Sequence, residues 1–300
     1  MDSTYHPEID ESPLLAGDKI GMYRMLIGSL QWAVTLCRFD VAHATNMLAR
    51  YTTMPREGHM KAAHRAIGYL KHFIKGRIRF DIRTLTFADT FDVPSESIDW
   101  CQQYPNMTEE LPGEIPLAVF NPIQLTSFVD ADHAACKVTR RSVTGILHFL
   151  ESTPWQWHVG MQRTVETSTY GSEFIAARIA TEQAIDHRYR LRMMGVPIDN
   201  ATLIVGDNRS VQTSGSKPSS SLSKKHLSIA YHKVRENVAA GIIIFAWIGT
   251  KFNIADLLTK PLNGMSFRSL TSFWIFGKGL CWFAKGSVKS KSDDYESHEV

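Results

Sequence analysis

The spacing of apolar positions divides the chain into a helical first part and a mixed second part. Met25, Leu26, Leu30 and Ala33 recur at helical spacing. Asp40 offers an N-cap, and Val41, Ala44, Met47 and Leu48 follow it, so residues 22–50 read as two helices. Pro55 opens a third helix near its first turn, with Met60, Ala63, Ile67, Leu70 and Ile74 along one face. Arg56, Lys61, His64, Arg65, Lys71 and Lys75 fall mostly elsewhere on it. That is either a solvated basic face or a surface that grips phosphates. Residues 1–20 are polar and aperiodic, which predicts an extended lead-in. Residues 82–122 carry Asp, Glu, Pro and Ser with few apolar repeats, the pattern of a linker or insertion.

The strongest pattern lies in 123–262. Ile123 to Val129 is mostly β-branched, apolar or small, and reads as a strand that ends in Asp130. Arg141 to Glu151 and Pro154 to Val159 extend it into an antiparallel meander. A long helix over about 171–195 stops at Gly195, with Pro197 beyond. Then come a strand at 202–207, a Ser/Lys-rich loop at 214–225, and a helix over about 225–240 with Leu227, Ala230, Tyr231, Val234 and Val238 on one face. A strand at 241–248 and a short helix over about 253–260 complete an α/β unit. Phe267, Phe273, Trp274, Phe276, Trp282 and Phe283 cluster after it, ahead of a polar run from Ser287 to Val300. The expected organisation is a lead-in (1–20), a helical unit (21–81), a linker (82–122), an α/β domain (123–262) and a tail (263–300) whose last part is disordered.

A chain of 300 residues with 44% hydrophobic residues can build a full core. The formal charge of +3 is mild, so local clusters rather than bulk charge must carry any case for a polyanionic partner. Cys37, Cys101, Cys136 and Cys281 are far apart, with neither zinc-ligand spacing nor a disulfide framework. A reduced intracellular compartment, cytoplasmic or nuclear, is expected. The polar, acidic start does not read as a signal peptide. The longest apolar run, Gly241 to Gly249, is less than half of the ~20 residues a helix needs to cross a bilayer, so no membrane association is expected.

Four acids stand at matching places. Asp130 ends the first strand and Asp207 ends the strand at 202–207. If those strands are parallel neighbours joined by the long helix, both carboxylates lie at one end of the sheet. Glu173 sits in the first turn of that helix, whose Ala176, Ala177, Ala180 and Ala184 permit close packing on a sheet. Asp256 lies on the final short helix, which can fold back over the same end. Each acid also has an ordinary use as a turn starter, a helix N-terminal charge or a surface group. Together they would repel one another, and a cation resolves the conflict. Hard oxygen ligands suit Mg²⁺ or Mn²⁺, and two such ions about 3.5–4 Å apart can activate water and stabilise a leaving oxygen in phosphodiester cleavage. Lys137, Arg140 and Arg141 follow the first strand, and Lys217, Lys224, Lys225, Lys233 and Arg235 form a basic run further on. These are candidate phosphate contacts, with Asn208, Ser210 and Thr139 as candidates for reading 2′-hydroxyls.

An ordered series of short motifs resembles the C-terminal part of the polyprotein of copia-type LTR retrotransposons. In the first part these are Tyr23-Arg24-Met25-Leu26-Ile27-Gly28-Ser29-Leu30-Gln31-Trp32, Arg38-Phe39-Asp40-Val41, Pro55-Arg56-Glu57-Gly58-His59-Met60-Lys61 and Gly68-Tyr69-Leu70-Lys71. In the second they are Phe128-Val129-Asp130-Ala131-Asp132, Thr167-Ser168-Thr169-Tyr170-Gly171-Ser172-Glu173-Phe174, Gly206-Asp207-Asn208, the run Lys225 to Glu236, and Ala255-Asp256-Leu257-Leu258-Thr259-Lys260-Pro261-Leu262. The resemblance covers most of 20–262. It implies the end of a reverse transcriptase region followed by a ribonuclease H domain, with a five-stranded mixed sheet flanked by helices. It also implies divalent-metal hydrolysis of the RNA strand of an RNA–DNA hybrid. The family's acidic set falls on Asp130, Glu173, Asp207 and Asp256, with Asp132 as a neighbour.

The sequence also departs from that pattern. No Tyr-x-Asp-Asp occurs, so a polymerase active site is not expected, and 21–81 is similar to a thumb or connection remnant. The loop Gly249 to Asn253 lacks the His that many ribonucleases H keep before the last acid. His226 and His232 either substitute for it or serve as packing residues. Trp157-His158-Val159-Gly160-Met161 stands where relatives often carry a Lys-rich run. Three readings follow: a hybrid-cleaving enzyme, a catalytically silent nucleic-acid-binding relic of a truncated element, and a structural part of a larger polyprotein assembly.

Overall fold

The computed structural model describes residues 4–275, apart from 84, 86–89, 95–98, 112, 223–224 and 273. The expected residues Lys224, Phe273, Phe276, Trp282 and Phe283, and the run from Ser287, lie outside the described residues.

Helix α1 (Asp18–Thr35) buries Tyr23, Ile27 and Leu30, which recur at i, i+4 and i+7. They meet Leu48 of α2 (Ala42–Ala49) and Ala63 of α3 (Glu57–His72) in a small apolar core. Met25, expected on the inner face, is exposed. The helix is rotated so that the Tyr23 hydroxyl donates to the Leu48 carbonyl at 2.8 Å. A buried tyrosine needs such a partner, and that need sets the face.

Asp40 does not cap α2. It lies in a 3₁₀ turn, Phe39–Val41, and is buried. Its carboxylate accepts from Arg38 Nε at 3.1 Å, Arg38 Nη2 at 2.8 Å and the Tyr69 hydroxyl at 2.7 Å. Arg38 Nη1 donates to the Phe73 carbonyl at 3.0 Å, so one fork ties the α1–α2 turn to the end of α3. The lead-in is also tied down: Pro7–Ile9 forms a 3₁₀ turn, and Leu15 N donates to Pro55 O at 2.9 Å.

Residues 82–122 contain no α-helix or strand among the described residues, yet they lie against the α/β unit. Asp92 exchanges backbone hydrogen bonds with Trp247 at 2.9 and 3.0 Å. Glu109 accepts from Arg188 at 2.8 Å and from Arg192 at 2.5 and 2.8 Å.

Strands β1 (Leu125–Asp132), β2 (Val143–Leu150), β3 (Thr153–Met161), β4 (Thr202–Gly206) and β5 (Ile243–Trp247) form one sheet in the order β3-β2-β1-β4-β5. The first three are antiparallel, while β1–β4 and β4–β5 are parallel. The β3–β4 crossover is α4 (Thr169–Met193), as the parallel pairing requires. Strand alternation sends Val129, Ala131, Ile146 and Ile204 to one face. There they meet Ala176, Ala177, Ala180 and Ala184 of α4 and Val234 of α6 (Ser228–Ala239). Phe128, Leu147, Phe149 and Val205 face the other way, toward Leu257 and Leu258 of α7 (Asp256–Thr259) and Trp274 beyond α8 (Gly264–Ser272). Phe39 and Ala42 of the helical unit join that second core.

Two helices were not expected from the sequence. Asn208 Oδ1 accepts from Ser210 N and Val211 N to start α5 (Arg209–Ser216), and Asn263 Oδ1 does the same for α8 through Met265 N and Ser266 N.

The Arg38–Asp40 pair is buried on both sides. Asp40→Ala leaves a buried guanidinium without its counter-charge and is expected to lower the unfolding free energy by about 3–5 kcal/mol. Urea melts check this; a loss below about 1 kcal/mol would mean that solvent reaches the pair.

Candidate active site

The register of two strands builds the site. Thr126, Ser127 and Phe128 of β1 pair with Leu203, Ile204 and Val205 of β4 in parallel. Carried on by two residues, this sets Asp130 beside Asp207, both on the Phe128 and Val205 face. On the other side of β1, Asp130 lies opposite Gly145 of β2. That glycine makes room for the last acid. A Cβ there would stand 2.6 Å from Thr259 Cγ2, 2.7 Å from Leu258 Cβ and 3.0 Å from the Ala255 carbonyl. The α7 turn therefore rests directly on β2. Asn253 pins its entry, donating to Val129 O at 3.0 Å and accepting from Ala255 N at 3.2 Å.

One carboxylate oxygen from each of Asp130, Asp207 and Asp256 lies within 4.8 Å of the others. Asp130 and Asp256 are buried. The Thr259 hydroxyl donates a short hydrogen bond to Asp130 Oδ2. Lys260 Nζ is 2.9 Å from Asp256 Oδ1 and 3.5 Å from Asp130 Oδ2. Glu173 stands outside this threesome because α4 covers the opposite face of the sheet. It reaches the sheet end and shares a small crevice with Asp130, Gly206 and Asn208. Burial, then the charges of Asp207 and Asp130, push the Glu173 carboxyl from 4.5 up to about 8, against the opposing pull of a hydrogen bond from Asn208 and the charge of Lys260. Burial and the Asp130 charge push Asp256 from 3.8 up to about 7, even with Lys260 beside it. Asp132, also raised by burial, is a neighbour of the group.

Chemically, this is a hard, all-oxygen donor set whose ionised form is short of positive charge. It fits Mg²⁺ or Mn²⁺.

The expected substrate residues are placed unevenly. Lys137, Arg140 and Arg141 are exposed on the β1–β2 turn, at the acidic end of the sheet. Lys225 is exposed and precedes His226, whose Nε2 lies 2.9 Å from Glu166 Oε2 beneath the start of α4. Asn208 is a scaffold: its Oδ1 caps α5, and it shares the crevice with Glu173. Arg235 leaves the basic run, for it is buried over Trp100 and Tyr231 and donates to the carbonyls of Ser214, Lys217 and Pro218. His232 Nδ1 lies 2.7 Å from the Tyr104 hydroxyl, a packing role. Thr259, Lys260 and Gly145 were not singled out in advance. Lys260 had a readable signal, since it follows Asp256 by four residues on a helix.

No protein-family model matches the chain. Among curated proteins, it is 26% identical over 250 residues to the retrovirus-related Pol polyprotein from transposon RE1 of Arabidopsis thaliana, covering 83% of this chain and 14% of that protein. It is 24% identical over 249 residues to the corresponding polyprotein from transposon RE2, with the same coverage. The chain is similar to the Pol polyproteins of copia-type transposons. It spans about 14% of the length of these relatives. Among solved structures, LC11-RNase H1 superposes with a TM-score of 0.37 at 14% identity, over 45% of this chain and 92% of that one. The α/β unit has a five-stranded mixed sheet with flanking helices.

Two outcomes test the geometry of this site. Gly145→Ala should push the α7 turn off β2, cost about 1–3 kcal/mol and abolish tight Mn²⁺ binding while the circular dichroism spectrum stays native. Unchanged Mn²⁺ affinity in that variant would show that the turn adapts. The second outcome is a pH dependence. The folded, metal-free protein keeps protons on Glu173 and Asp256 that the unfolded chain has lost, because both folded values lie above the ordinary ones. The cost of ionising them is absent below about pH 4 and complete above about pH 8, so stability falls as pH rises through that window. Melting temperatures in chelator should drop between pH 6.5 and 8.5, less steeply for Glu173→Gln, and Mg²⁺ should restore more at pH 8.5 than at pH 6.5.

Proposed function

We propose that the ribonuclease H-like unit is a metal-dependent endonuclease that hydrolyses the RNA strand of RNA–DNA hybrids. The observation that carries this reading is the meeting of Asp130, Asp207 and Asp256 within 4.8 Å. These three would hold the metal, with Glu173 completing the set from α4. Two Mg²⁺ or Mn²⁺ ions bound there would supply an activated water and charge stabilisation for the leaving oxygen.

The chain's own residues do the rest. Asn208 stands beside Glu173 in the crevice. Thr259 orients Asp130 through Oδ2. Gly145 and Asn253 seat the turn that carries Asp256. Lys137, Arg140 and Arg141 on one side, with Lys225 on the other, flank the acidic end and suit backbone phosphates, giving sequence-independent and salt-sensitive binding. The loop 249–253 has no histidine, and His226 and His232 are engaged with Glu166 and Tyr104, so product release is assigned to none of them.

The test is cleavage of a labelled RNA–DNA hybrid. The parent should cut the RNA strand only with Mg²⁺ or Mn²⁺, and Asp207→Asn should be slower by roughly 100-fold or more. A folded protein that binds the hybrid in both forms and cuts with neither would instead be a silent nucleic-acid-binding relic.

A further inference from the structure

Lys260 directly follows α7, four residues beyond Asp256, so its side chain returns to the face that carries that acid. Its ammonium lies 2.9 Å from Asp256 Oδ1 and 3.5 Å from Asp130 Oδ2. It thus sits on oxygens of two of the three clustered carboxylates, where a cation is most needed. The side chain is 32% exposed, so solvent reaches it. Lys260 also lines a cavity of about 290 Å³ between α3 and α8, with Arg65, Tyr69, Phe267 and Arg268, which leaves it room to move.

We propose that Lys260 is a tethered cation: it balances the carboxylates in the metal-free protein and withdraws when a divalent ion binds. Loading is then an exchange of ammonium for metal on Asp130 and Asp256. The inference rests on the metal-site reading above. Its physical basis is competition. An ammonium and a divalent cation cannot share the same carboxylate oxygens without strong repulsion, because like charges a few Å apart interact strongly in a partly buried site. The tether keeps three crowded acids together before metal arrives, and the cost is a weaker apparent affinity for the ion. Lys260 is a positioning residue in this account, since it acts through Asp130 and Asp256.

Two measurements on the full chain test it. Mn²⁺ affinity, read by electron paramagnetic resonance, should rise about tenfold in both Lys260→Gln and Lys260→Met, as expected for removing one partly buried competitor. In the parent, acetylation of Lys260 followed by mass spectrometry should be slow in chelator and several-fold faster with saturating Mg²⁺, with Lys137 and Lys225 as unchanged controls. The labelling arm needs no substitution and decides the matter if the variants do not fold. A parent that binds no Mn²⁺ overturns the metal site and this inference together. A parent that binds Mn²⁺ with Lys260 labelling unmoved by metal, or with variants that bind no tighter, overturns the inference alone.

Discussion

Everything at the sheet end depends on the parallel register of β1 and β4. Phe128 pairs with Val205, and two residues later the same alternation sets two aspartates side by side on one face. A slip of one residue would send either carboxylate to the α4 side, into a layer of alanine and valine. The apolar pattern of both strands forbids that slip, since Phe128 and Val205 would leave their core with it. The core therefore enforces a carboxylate contact that is unfavourable by itself. The length of α4, from Thr169 to Met193, and its small-residue face let the crossover return the chain parallel at that register.

The two faces of the sheet explain why the four acids are not equivalent. Asp256 comes from α7, on the same face as Asp130 and Asp207, and so joins them directly. Glu173 comes from α4 on the opposite face and meets them only at the end of the sheet. Burial and the charges of Asp207 and Asp130 then outweigh the pull of Lys260, and the Glu173 carboxyl is raised to about 8. Burial and the Asp130 charge likewise raise Asp256, to about 7, with Lys260 beside it. The same charges act back on Lys260: burial alone would lower its pKa, but Asp130 and Asp256 outweigh that and raise it. The site is arranged for a net positive guest, and a lysine already supplies part of that charge.

What was legible in the sequence follows from locality. Alternation set Asp130 on the face of Phe128 and Asp207 on that of Val205, at the ends of their strands, and four alanines marked the inner side of α4, because those signals are set by backbone period alone. What was not legible depended on partners distant in sequence. Asp40 looked like a cap, but Tyr69, on α3, and Arg38 claim its carboxylate. Arg235 looked like a phosphate contact, but Trp100, more than a hundred residues earlier, covers it. The α5 segment reads as Ser- and Gly-rich loop, and only its Asn208 cap signals a helix. Gly145 carried no signal at all, since its role is the space it leaves for a turn over a hundred residues away.

The helical unit is part of the same construction. Phe39 and Ala42 share a core with Leu257 and Leu258, and Phe39 packs against Trp157 with ring centroids 5.5 Å apart. Burial pushes the His43 imidazole down to about 4, so near neutral pH it stays uncharged beside α7. A four-residue helix has little stability of its own. The α7 turn that bears Asp256 is held between β2, where Gly145 admits it, and α2, where the Arg38–Asp40–Tyr69 fork keeps the helical unit in place. The third carboxylate thus owes its position to α2 and the Phe39–Val41 turn as well as to the sheet. The similarity to transposon polyproteins spans both parts of the chain, and this packing supplies a physical reason for the two parts to stay together: the helical unit backs the α7 turn that brings Asp256 up to Asp130 and Asp207.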